Sequence, residues 1–219
     1  MEDVKDTAFA SLSKTSFTSD GAYVYVTVSV CDGTKETFKL TYESFAEHVR
    51  GKEGFSPEDM ELLSGEDAYC KALLSALGSL SYGSSTQMEL YRKLIKKHFP
   101  KDAALRAVKH IKKSGFIDEA ELVGEEISAC KLKLWGPSRI RSRLIMRGFG
   151  KKALSLGMQL LDEIDFDSLC IECAKKKIRI IPETYEERQK AVASLVRLGY
   201  AYDSAKRAVE LLSNGEALY

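Results

Sequence analysis

Apolar and polar positions along this chain of 219 residues follow two different periods. Over roughly the first 45 residues the apolar positions recur without helical spacing. Ala22–Val30 is β-branched and aromatic throughout, Cys31-Asp32-Gly33-Thr34 supplies a turn, and Thr37–Tyr42 alternates apolar with polar. This pattern predicts a hairpin, with a third strand over Ala8–Thr18 joined through an Asp20-Gly21 turn. Short helices are predicted over Tyr42–Arg50 and Pro57–Leu63. Two or three strands are too few to be stable alone, so the segment is expected to dock on something.

From about Asp67 onward the spacing is helical and the sequence repeats. Leu94–Phe99 (LIKKHF), Leu144–Phe149 (LIMRGF) and Leu195–Tyr200 (LVRLGY) stand at offsets of 50 and 51 residues. At those offsets Leu90 corresponds to Ile140 and Ala191, and Ile111 to Leu161 and Leu212. Such a period marks tandem helical units that bury their faces on one another. Each unit reads as three helices, A, B and C. Helix A covers 67–79, 118–133 and 167–180; helix B covers 86–98, 137–147 and 185–198; helix C covers 101–114, 151–163 and 202–213. Thr86-x-x-Glu89 and Thr184-x-x-Glu187 are capping boxes, and Gly136-Pro137 opens the middle helix B with proline at its first position. Phe99, Phe149 and Tyr200, between B and C, are read as core plugs. The predicted fold is mainly α: three tandem three-helix repeats in an elongated array, with a small N-terminal β-hairpin or meander. The segments are 1–66, 67–117, 118–163 and 164–219.

Composition adds little, with 44% hydrophobic and 30% charged residues. No apolar run approaches the roughly 18 residues of a membrane span. The acidic start Met1–Asp6 lacks the order of a secretory signal, and five irregularly spaced cysteines read as reduced thiols. A soluble cytoplasmic protein is expected. Motifs that could carry chemistry are few. His48, His98 and His110 are isolated, Cys170-x-x-Cys173 has no second pair, and Gly148-Phe-Gly-Lys-Lys152 lacks the spacing of a phosphate loop. Asp118-Glu119 and Glu125-Glu126 read as acids favoured by a helix N-terminus. No catalytic residue, metal site or cofactor is expected.

Charge changes the picture more. Residues 1–70 carry 6 Lys/Arg against 14 Asp/Glu, residues 71–161 carry 18 against 7, and residues 162–219 carry 9 against 11. Between Ile127 and Leu161 there is no acid but eight bases: Lys131, Lys133, Arg139, Arg141, Arg143, Arg147, Lys151 and Lys152. Arg139, Arg143 and Arg147 fall at i, i+4 and i+8, beside the buried-face positions Ile140 and Leu144. Like charges at that spacing repel, so a partner offering phosphates or carboxylates is expected. Trp135, inside the block, reads as core or as a contact ring. A second basic run, Arg92 to Lys113, reads more readily as a solvated face.

Ser85–Leu90, Gly115-Phe-Ile-Asp118, Gly136–Ile140, Leu144–Phe149, Glu187–Lys190 and Leu195–Tyr200, in that order and spacing, resemble the RecX family of recombinase regulators. The resemblance covers about 67–213 and departs at Tyr82-Gly83-Ser84, where the family usually has a basic residue. It implies a non-enzymatic modulator, usually an inhibitor, of the RecA recombinase. Its partners would be RecA and the RecA–single-stranded DNA filament, and the protein a monomer that lies in the filament groove. The eight bases would supply the attachment, and reversing Arg143 and Arg147 is expected to weaken it without unfolding the chain. The alternative is a stand-alone DNA-binding helical protein that contacts DNA directly, without RecA.

Overall fold

The computed structural model describes residues 9–178 and 180–214. Met1–Asp6, the expected strand start at Ala8, Arg179 of the third predicted helix A and residues 215–219 lie outside the described residues. The chain forms two compact units. One takes in the described part of 1–84 together with 90–116; the other takes in 85–89 and the described residues from 117 onward.

The first unit opens with strands β1 (Ala10–Phe17), β2 (Tyr23–Val30) and β3 (Lys35–Thr41), then helix α1 (Tyr42–His48) and the two-residue strand β4 (Gly54–Phe55). They form one antiparallel sheet in the order β3-β2-β1-β4. β4 was not foreseen, because two residues carry no periodicity to read. Val24, Val26, Val28 and Val30 alternate onto one buried face with Phe38 and Leu40. Met60 and Leu63 of helix α2 (Pro57–Leu80) join that core, so the sheet has the support it needed. The two predicted helices at Pro57–Leu63 and 67–79 are one helix of 24 residues. Ser56 and Asp59 form a capping box around Pro57. The interior Gly65, at a cost of about 1 kcal/mol, does not interrupt it. Helices α3 (Gln87–Lys96), apart from its first turn, and α4 (Lys101–Lys113) complete the unit.

The second unit holds α5 (Glu119–Leu132), α6 (Pro137–Arg147), α7 (Lys151–Asp162), α8 (Phe166–Lys177), α9 (Tyr185–Arg197) and α10 (Tyr202–Ser213). The mainly α class, the repeated helices and the N-terminal sheet are as the sequence predicts. Leu122, Ile127, Ile140, Leu144, Phe149 and Leu161 share one core; Cys170, Cys173, Leu195, Tyr200 and Leu212 belong to a second. Phe149 and Tyr200 are therefore plugs, and the Tyr200 hydroxyl donates to the carbonyls of Leu134 and Leu169 at 3.2 and 3.3 Å. Burial pushes the Cys170 thiol up to about 12, so this cysteine packs as a small apolar group.

Successive repeats meet backbone to backbone. The Gly136 N–H donates to the Leu198 carbonyl at 2.8 Å, and the Ser138 N–H to the Gly199 carbonyl at 3.1 Å. The α9–α10 turn thus satisfies amides that the start of α6 leaves open. A Cβ on Gly136 would lie 2.3 Å from the Gly199 carbonyl carbon, and one on Gly199 would lie 2.5 Å from the Arg139 nitrogen. We expect Gly136→Ala and Gly199→Ala each to destabilise the chain by about 1–3 kcal/mol in urea unfolding. Gly124→Ala, whose Cβ would meet nothing within 4 Å, should stabilise it by about 0.5–1 kcal/mol.

Candidate interaction site

Helix α6 has an amphipathic face that buries Ile140 and Leu144. On a 3.6-residue helix each i to i+4 step advances about 40° around the axis. The series Arg139, Arg143, Arg147 therefore winds from solvent toward the interior. Arg139 and Arg143 are exposed, whereas the Arg147 side chain is only 10% exposed.

Arg147 is held on two sides. Its Nε and Nη2 donate to Glu89 at 2.8 and 2.9 Å, and its Nη1 pairs with Glu126. Arg143 Nε donates to the same Glu126 carboxylate at 2.7 Å. Burial opposes the Glu126 charge, but the two guanidinium groups outweigh it and hold the carboxyl below its ordinary range. Glu89 in turn raises the Arg147 pKa. The carboxylates that the stripe called for thus come, for two of its three members, from within the chain. Glu126 is no helix-start acid: it stands midway along α5 and answers α6. Glu119 does stand in the first turn of α5, and its carboxylate also accepts from the Gln87 N–H at 3.0 Å and the Gly150 N–H at 2.9 Å.

The other predicted residues point outward. Lys131 and Lys133 lie at the end of α5, and Lys151 and Lys152 open α7, a helix with no acid in its first turn. Arg139 stacks on Trp135 with its guanidinium carbon 4.1 Å from the ring centre, and Lys133 Nζ stands 5.4 Å away. Half-buried Trp135 packs on the unit's core, as one of its two readings has it, and also carries two cations of its own chain. Arg141 leaves α6 about 160° around from Arg139, toward Asp162 at 3.4 Å. The structure therefore joins Lys133, Trp135 and Arg139, joins Arg143 and Arg147 through Glu126, and places Arg141 on another flank.

The sequence reading missed the apolar side chains among these bases. Leu132, Ile145 and Met146 are 87%, 60% and 71% exposed. The signal was present: Ile145 and Met146 fall off the Ile140–Leu144 stripe of α6. Charges interleaved with exposed aliphatic groups can dock a surface that is both acidic and partly apolar.

Fold and site define a helical repeat protein that presents a cationic helix with apolar neighbours. No protein-family model matches the chain. Similar proteins are regulatory proteins RecX. The one of Clostridium botulinum (strain Eklund 17B / Type B) is 24% identical over 78% of this chain and 82% of that protein. The one of Clostridium perfringens (strain SM101 / Type A) is 28% identical over 73% and 76%. A crystal structure of regulatory protein RecX covers 92% of this chain and 99% of its own at a TM-score of 0.71 and 18% identity. That of RecX from Lactobacillus salivarius covers 68% and 98% at 0.57 and 20%. These structures share the fold, and the RecX resemblance read from residues 67–213 is borne out. The relatives are named as regulators, in keeping with a role other than catalysis. Among the described residues no helix is long and apolar enough to cross a membrane.

Arg147 is a structural residue, so the expectation that its reversal leaves the fold intact is corrected. Arg147→Met should cost about 1–3 kcal/mol in urea unfolding, because Glu89 and Glu126 each lose a charge-assisted hydrogen bond, while Arg143 still serves Glu126 and the Thr86 N–H still serves Glu89. Arg139→Gln should stay within about 0.5 kcal/mol. Because the folded-state pKa of Glu126 is depressed, its contribution is complete above the unfolded-state value and fades as pH falls through the folded one. An acid titration of stability should therefore lose part of its slope below about pH 4 in Glu126→Gln.

Proposed function

We propose that this chain is a non-enzymatic regulator of the RecA recombinase. It inhibits RecA by binding it and its filament on single-stranded DNA through the basic middle repeat. The reading is carried by the RecX resemblance, now supported by relatives and by solved structures of the same fold. The site supplies a mechanism. Lys131, Lys133, Arg139, Arg143, Lys151 and Lys152 offer cations to a groove lined by phosphates and carboxylates, with Arg141 on a separate flank. Arg147 acts from beneath by fixing α6. Leu132, Ile145 and Met146 favour RecA as a direct contact, since bare DNA phosphates give exposed aliphatic groups little to bury against. Steric blockage of the groove would then slow ATP turnover and strand exchange without any chemistry by this chain.

The test is the single-stranded-DNA-dependent ATPase of RecA, titrated with this protein at two salt concentrations. Turnover should fall at substoichiometric protein. A Lys131→Glu/Arg139→Glu/Lys152→Glu variant should need about tenfold more protein for the same effect, since each lost ion pair at an exposed rim is worth up to about 1 kcal/mol. Unchanged ATPase beside salt-sensitive binding to bare DNA would transfer the function to the stand-alone DNA-binding alternative.

A further inference from the structure

The N-terminal sheet has a second face, opposite the valine-rich one. Cross-strand pairing fixes what stands there. Lys39 pairs with Tyr25, Lys14 with Thr27, and Lys35 with Ser29, all at positions that alternate with the buried valines. Lys39 Nζ lies 5.0 Å from the Tyr23 ring centre and 5.3 Å from that of Tyr25. The Thr27 and Thr37 hydroxyls, 3.0 Å apart, share the same face. The remaining outward positions of β1, β2 and β3 are serine or threonine, and none is aliphatic.

Charge is sorted across this sheet. Residues 1–70 carry more than twice as many acids as bases, yet the one acid within β1, β2 and β3, Glu36, pairs with Val28 and so falls on the other side. The nearby carboxylates are committed elsewhere. Asp20 and Asp32 are tied into their turns by Thr18, Ala22 and Thr34. Asp67, at the β3 edge, pairs with Lys71 at 2.6 Å and accepts the Lys39 backbone N–H at 2.8 Å.

We infer that this outward face binds single-stranded nucleic acid, with bases stacking on Tyr25 and Tyr23 and phosphates meeting Lys14, Lys35 and Lys39. No acid falls on this face within β1, β2 and β3, and Asp20, the carboxylate that acts on Lys39, is tied into its turn, so the three lysines favour a polyanion. Two tyrosines on a sheet select one whose bases are unstacked, which excludes a duplex. Hydroxyls in place of aliphatic groups disfavour a protein partner, which would need an apolar centre to bury. This inference concerns the first unit and does not depend on the RecA reading.

The experiment uses the full chain without RecA and a fluorescein-labelled oligothymidylate as probe. Lys131→Glu/Arg139→Glu/Lys152→Glu is the background, so that binding by the second unit is suppressed. In that background Tyr25→Ser should weaken binding about tenfold, the loss of one stacked base. Lys14→Gln/Lys35→Gln should lower the slope of log affinity against log salt by about 1.4. Ultraviolet cross-linking of the unaltered chain to a 5-iodouracil-substituted strand should tag Tyr23 or Tyr25, and this needs no variant to fold. Unchanged affinity and salt slope in folded variants, tags confined to the second unit, or equal competition by polyglutamate or duplex DNA would each overturn the inference.

Discussion

An α-helix leaves its first amides without partners inside the helix. In the second unit, the following repeat supplies them. The start of α6 rests on the carbonyls of Leu198 and Gly199, while the first turn of α3 is held by Glu119 and by the Thr86 hydroxyl, which donates to the Arg147 carbonyl at 2.7 Å. This recurring seat of helix B on the next turn sets much else. It requires glycine at 136 and 199, fixes the rotation of α6, and so decides which of its arginines face water. Arg139 is exposed and Arg147 enclosed because the helix cannot turn without losing that seat.

The same seat resolves an electrostatic conflict. Three arginines at four-residue spacing destabilise an isolated helix. Here Glu126 reaches across from α5 to two of them, and Glu89, in the first turn of α3, takes up the deepest. Part of the basic block is thus internal framework, and only the remainder is available to a partner. Net charge along the chain overstates the attractive surface wherever helices pair their charges across a core.

Much of the fold was legible in the sequence because its signals are local or periodic. The three copies of the Leu94–Phe99 pattern located helix B in each repeat, and Thr86–Glu89 and Thr184–Glu187 form the hydrogen bonds of capping boxes. Failures came where a long-range partner decided the outcome. Glu126 looks like a solvated acid until α6 is laid beside α5. The break between the helices predicted at Pro57–Leu63 and 67–79 disappears because the capped start of α2 and the sheet core carry one helix through it. The candidate site was legible as a cluster of residue types, but its division into support and surface was not. That division depends on a drift of about 40° per four residues along α6, accumulated over two steps.

The end of helix B enters the left-handed region in every repeat, at His98 (φ 64°), Gly148 (φ 75°) and Gly199 (φ 98°). A side chain there costs about 1–2 kcal/mol from torsion alone. At Gly199 a second constraint is added, because the backbone of Arg139 occupies the place of a Cβ. The His98 side chain is exposed and meets no such exclusion. Equivalent positions in copies of one motif are therefore unequal targets for mutation. A change at 98 is filtered by one turn's own geometry, whereas a change at 199 is filtered by two repeats at once. Among copies of one motif, the turns on which another helix is seated therefore tolerate the fewest residue types.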